Sequence, residues 1–124
     1  MTKEEKRNKK LADEIRKWLL DHEMWIDTTI YFNGIAYSTY DGKNFFYNDP
    51  SHLVVLENQD PAEHFEYVNP DHILSMSFEG PLYEVLNGYC YGWVEMEAEF
   101  QKIFRKYGLY FELGNAWNLS CYKI

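Results

Sequence analysis

Ile26-Asp27-Thr28-Thr29-Ile30-Tyr31-Phe32-Asn33-Gly34-Ile35-Ala36-Tyr37-Ser38-Thr39-Tyr40 is the stretch on which the fold depends. Ile26, Thr28, Ile30 and Phe32 alternate with Asp27, Thr29 and Tyr31, the period of two that marks a strand with one buried face. Asn33-Gly34 then supplies the pair of residues that best tolerates positive φ at both centres of a two-residue hairpin turn. A second strand follows over Ile35 to Tyr40. Asp41-Gly42 repeats the turn signal, and Lys43 to Asn48 is predicted to return as a third strand, giving an antiparallel meander.

On the N-terminal side of this meander, Leu11, Ala12, Ile15, Trp18 and Leu19 form one apolar stripe at helical spacing, predicting a helix from Thr2 to about His22. Its first two turns are charged, so residues 1–10 are expected to project beyond the core. Downstream, Leu53 to Leu56 predicts a fourth strand. Asp60-Pro61-Ala62-Glu63 reads as a cap followed by a short helix, which Asn69-Pro70 stops. Ile73 to Glu79 alternates as a strand, Gly80-Pro81 opens a short helix over Leu82 to Asn87, and Gly88 closes it. Trp93 to Tyr107 returns to helical spacing with Gly108 as its stop. Leu109–Leu113 and Trp117–Tyr122 flank Gly114-Asn115-Ala116 as a closing hairpin. Without regular strand-helix-strand alternation, the expected class is α+β. The expected architecture is a single domain over 1–124, with a mainly antiparallel sheet, N-terminal meander plus C-terminal hairpin, packed against two long helices.

Composition narrows the function classes. Aromatic residues make up 19% of the 124, enough apolar surface for a sizeable core. Residues 1–17 carry seven basic and four acidic side chains, whereas the remainder carries five basic and sixteen acidic. Between Asn44 and Gln101 there is no lysine or arginine and there are eleven aspartates and glutamates. A body this negative repels phosphate, so no direct nucleic-acid binding is expected. The interleaved charges around Lys3, Lys6, Arg7, Lys9 and Lys10 read as a solvated helix end. No stretch reaches the length of a membrane span, the charged N-terminal stretch does not read as a cleavable leader, and the expected location is cytoplasmic. Cys90 and Cys121 form no paired motif and are expected to be reduced.

No phosphate-cradling glycine motif, nucleophile elbow, HExxH pair or EF-hand spacing is present, and no catalytic residue, cofactor or metal is assigned. His22, His52, His64 and His72 provide no local ligand pair, and Asp60, Glu63, His64 and Glu66 read as a capped turn rather than a hard-cation site. The most pointed cluster is Glu95, Glu97 and Glu99 at the start of the last long helix. It follows an aromatic run of Tyr89, Tyr91 and Trp93, with Tyr83 and Glu84 on the short helix before it. Tyrosine and tryptophan beside carboxylates suit a partner rich in lysine and arginine. The expectation is a small acidic non-catalytic protein that binds a basic surface of another protein through Tyr83, Glu84, Tyr89, Tyr91, Glu95, Glu97 and Glu99. Its sharpest form is an inhibitor whose carboxylates stand in for nucleic-acid phosphates. The alternative is a small-molecule module or enzyme with an aromatic-lined pocket between sheet and helices, in which Glu79, Glu84, His64 or His72 acts as acid or base.

Overall fold

The computed structural model describes residues 1–69 and 71–124, so the predicted break at Asn69-Pro70 falls partly outside the described residues. Among them a six-stranded sheet runs in the order β3-β2-β1-β4-β6-β5 with every neighbouring pair antiparallel. Its strands are β1 (Thr28–Phe32), β2 (Ile35–Ser38), β3 (Val54–Leu56), β4 (Leu74–Phe78), β5 (Leu109–Asn115) and β6 (Asn118–Lys123). The helices are α1 (Lys3–Asp21), α2 (Pro81–Leu86) and α3 (Trp93–Arg105), with a single 3-10 turn at Pro61–Glu63 where a short helix was expected. The α+β class and the two long helices are as the sequence predicts.

The β1–β2 hairpin closes through Asn33 and Gly34 at φ 51° and 76°, which sets Phe32 opposite Ile35 and Thr29 opposite Ser38. The third strand of the meander is not Lys43 to Asn48. That segment makes only an isolated bridge, Tyr40 with Phe45, and β3 takes the place beside β2. Local chemistry diverts it: the Asp41 carboxylate accepts from the Lys43 and Asn44 backbone N–H groups. The chain then leaves the sheet plane as the Asn48 N–H donates to the Trp25 carbonyl. α3 also ends earlier than predicted, at Arg105, with Lys106 as its cap.

Strand parity divides the sheet into two unlike faces. Ile30, Phe32, Tyr37, Leu74, Met76, Phe78, Leu109, Phe111, Leu119 and Cys121 point to the face covered by the helices. They form one core with Leu11, Ile15 and Leu19 of α1 and Phe100 and Phe104 of α3. Thr29, Ser38, Ser75, Ser77, Asn118 and Ser120 occupy the alternate positions, and the cross-strand pairs align them: Thr29 with Ser38 and Ser77, Ser75 with Ser120, Ser77 with Asn118. The middle of this second face is covered by a smaller cluster in which Phe65 and Trp117 pack around Tyr31 and Ala36.

Helix α1 begins with a reciprocal cap, Thr2 Oγ1 accepting from the Glu5 N–H and Glu5 Oε1 accepting from the Thr2 N–H. Most of its charged start is exposed, but Asn8 ties it to the sheet. Asn8 is buried and donates to Asn33 Oδ1, while Asn33 Nδ2 donates to the Glu5 carbonyl at 2.8 Å. The same asparagine that permits the hairpin turn therefore anchors the first helix.

Candidate functional site

The corner between α2 and α3 and a cavity over one end of the second sheet face each bring chemistry-bearing side chains to the surface.

The corner is built by glycines. Gly88 and Gly92 sit at φ 75° and 78°, left-handed conformations that let residues 89–91 swing out between two helices. Asn87 fixes the end of α2, its Nδ2 donating to the Tyr83 and Ala116 carbonyls. The Trp93 ring lies over Gly88, where an added Cβ would meet it at 3.3 Å. Tyr89 stacks on Tyr83 with ring centroids 6.2 Å apart and an interplanar angle of 23°. Tyr89 remains 72% exposed and Tyr91 is fully exposed, with Trp93 and Val94 also reaching the surface. Glu84 stands exposed on α2 and Glu95 on the first turn of α3.

The three glutamates of α3 do not share one face. Glu99 turns to α1, where it accepts from Trp18 Nε1 at 3.2 Å and lies 3.9 Å from His22 Nε2. Glu97 is half-buried beside Trp93, Val94 and Gln101 on the opposite flank, and Gln101 is tied by two hydrogen bonds to the Phe111 backbone of β5. Tyr83, Glu84, Tyr89 and Tyr91 are thus gathered at the corner, Glu95 and Glu97 flank it, and Glu99, still exposed, is hydrogen-bonded to Trp18 of α1.

The second region was not visible in the sequence. A cavity of about 380 Å³ opens on the sheet face away from the helices. Its floor is Thr29, Ser38 and Ser77, its rim carries Asp27 and Glu79, and its walls include Tyr40, Phe45, Tyr47 and Trp117. The aromatic-lined space is therefore not between sheet and helices, where large side chains such as Trp25, Phe32, Phe78 and Phe104 fill the core. Of the proposed acid–base residues only Glu79 lines this cavity.

The remaining candidates are dispersed. His64 stacks on Tyr31 and His52 on Phe46, while His52 Nδ1 lies 2.6 Å from the Asp49 carboxylate. Hydrogen bonds from Ser51 and His52 hold Asp49 low, at about 2. Ser120, Ser75 and His72 form a chain, with Ser75 Oγ 2.7 Å from Ser120 Oγ and 3.2 Å from His72 Nδ1. Burial pushes His72 below the ordinary histidine value. Ser75 is wholly buried and satisfies polar groups inside the fold, whereas His72 and Ser120 line a separate cavity of about 260 Å³ with Asp71, Cys121 and Tyr122. Asp60 caps the 3-10 turn by accepting from the Ala62 N–H. Among the described residues no three His, Cys, Asp or Glu side chains converge as a cation cage. No helix among them is long and apolar enough to cross a membrane. Cys90 and Cys121 are free, and burial pushes the Cys121 thiol up to about 12.

No protein-family model, curated protein or solved structure matches this chain.

Proposed function

We propose that this chain is a small non-catalytic binding protein whose α2–α3 corner docks onto a lysine- and arginine-rich surface of another protein. The observation that carries this reading is the exposure of Tyr89 and Tyr91 on a loop bracketed by two left-handed glycines. Each ring offers a broad apolar body and a polar tip with few rotatable bonds, the combination that concentrates binding energy in interfaces. Charge complements it. Glu84, Glu95 and Glu97 flank the rings, and no lysine or arginine occurs from Asn44 to Gln101. Carboxylates at the rim of such a face steer a basic partner and fix its register, while cation–π contact with the tyrosines adds to affinity. The narrower reading, a nucleic-acid mimic, draws less support, because Glu99 is engaged by Trp18 and the carboxylates do not form one row. Two free cysteines suit a cytoplasmic setting.

The test is a pull-down from source cells with three baits: wild type, Tyr89→Ala/Tyr91→Ala, and Glu84→Lys/Glu95→Lys/Glu97→Lys. Washes at about 0.1 M and about 0.5 M salt separate electrostatic capture from other adhesion. A basic protein held by wild type at low salt, shed at high salt and lost from both variants is expected. Retention that survives both sets of substitutions places the docking face elsewhere, and the lack of any salt-sensitive basic partner overturns the proposal.

A further inference from the structure

The cavity over the hydroxyl face has a composition that the docking corner does not explain, and none of its lining residues belongs to that corner. We propose that it is a binding site for a small organic cation, an alkyl- or methyl-substituted ammonium.

Four observations converge on this chemistry. The first is size: about 380 Å³ falls within the roughly 300 to 1,000 Å³ typical of small-ligand sites. The second is the wall. Tyr40 and Phe45 stack at 4.5 Å and 25°, Phe45 and Tyr47 follow at 5.2 Å, and all three rings keep a large exposed area although they line a cavity. An aromatic ring face presents negative potential, and several rings around one space are the arrangement that attracts a substituted ammonium. The third is charge. Asp27 and Glu79 both line the cavity and no lysine or arginine does, so the site favours a cation and disfavours an anion. The fourth is the floor, where Thr29 Oγ1 and Ser38 Oγ lie 3.4 Å apart beside Ser77, leaving hydroxyl oxygens to receive ligand N–H or O–H groups.

The site is also pre-arranged. The Tyr47 hydroxyl donates to Asp27 Oδ1, which holds the carboxylate at the cavity with its second oxygen not used by that bond. The Phe46 N–H donates to the Thr39 carbonyl and the Tyr40 N–H to Ser38 Oγ, fixing the aromatic segment to the end of β2. The Glu79 N–H donates to the Asp27 carbonyl, which sets the distance between the two acidic residues. A site organised before its ligand arrives loses less entropy on binding. The diversion of residues 43–48 from the sheet thus gains a purpose: a third strand there would lie flat beside β2, whereas the observed path raises Phe45 and Tyr47 as a wall.

The experiment is an amide-shift titration of the full chain with choline, with butylamine, with the uncharged carbon isostere of choline, and with glucose. Saturable shifts at Thr29, Ser38 and Ser77 are expected with choline or butylamine, with the isostere at least about tenfold weaker. Phe45→Leu and Asp27→Asn are each expected to weaken choline binding about tenfold at unchanged Tm. Asparagine keeps the positive φ of 49° that position 27 requires, and Phe45 is surface-exposed, so both variants fold. Equal affinity for choline and its isostere, binding of glucose alone, or no saturable shift with either cation would each overturn the assignment. The docking test uses other residues, so either proposal can fail without the other.

Discussion

At the scale of single residues, the positions most constrained by the fold are not the most conspicuous in the sequence. Gly80 has ordinary negative φ, so its backbone conformation does not demand glycine; space does. A Cβ there would collide with the Ile26 carbonyl oxygen, a backbone atom that cannot swing aside. Gly80→Ala is therefore expected to destabilise the protein by about 1 to 3 kcal/mol, read as a lower denaturant midpoint at unchanged slope. Sequence pattern alone would place Gly80 merely at the end of a strand before Pro81. Asn33-Gly34 was legible because a turn's requirement is local. The close approach at Gly80 was not, because its partner lies 54 residues earlier in the chain, before β1.

Among the elements, α1 is where sequence and tertiary structure join most visibly. The stripe from Leu11 to Leu19 announced the buried side of the helix, but the polar ties that hold it came from elsewhere. The Tyr37 hydroxyl of β2 donates to Asp13 Oδ1 at 2.8 Å, and the Tyr107 hydroxyl beyond α3 donates to Glu14 Oε1 at 2.6 Å. Burial, reinforced by the carboxylate partner, pushes both phenols from 10.0 up to about 12. A raised folded-state value means that the contribution is fully present below pH 10 and is lost as the pH climbs toward 12. Tyr37→Phe/Tyr107→Phe should lower stability at neutral pH by roughly 1 kcal/mol per lost hydrogen bond. It should also lessen the fall in stability across that alkaline window, measured by denaturant titration at stepped pH. Lys43–Asn48 shows the opposite case. Its composition suits a strand, yet the Asp41 turn and the Asn48-to-Trp25 hydrogen bond redirect it; the turn is local and legible at Asp41-Gly42, whereas the tie to Trp25 leaves no trace in local spacing.

For the whole molecule, strand order sets where the structure opens first. β1 and β4 are flanked on both sides, whereas β3 is a three-residue edge strand with one neighbour and partly exposed side chains. Hydrogen exchange is expected to be slowest at Ile30, Tyr31, Ser75 and Met76 and fastest among strand amides at Val54 to Leu56, and equal protection across the sheet would contradict this order. The class and most elements were readable because periodicity and turn residues act over short spans. The cavity was not, because Asp27, Ser38, Phe45, Ser77 and Trp117 come from five separate segments, brought together by the strand order β2-β1-β4-β6 and by the path of residues 43–48. The corner was half-readable: Tyr89 and Tyr91 stand two apart in one short loop, but the division of Glu95, Glu97 and Glu99 between two flanks follows from how α3 rests on α1 and β5.

The parity of the sheet also separates two kinds of substitution. Along β1, β2 and β4 the residues that hold the molecule together and those that line the cavity occupy alternate places in the same strands. Substitution at Thr29, Ser38 or Ser77 changes the cavity floor while Ile30, Tyr37 and Met76 stay in the core. Such a sheet lets the cavity floor be altered by substitution while the core that sets the fold stays as it is.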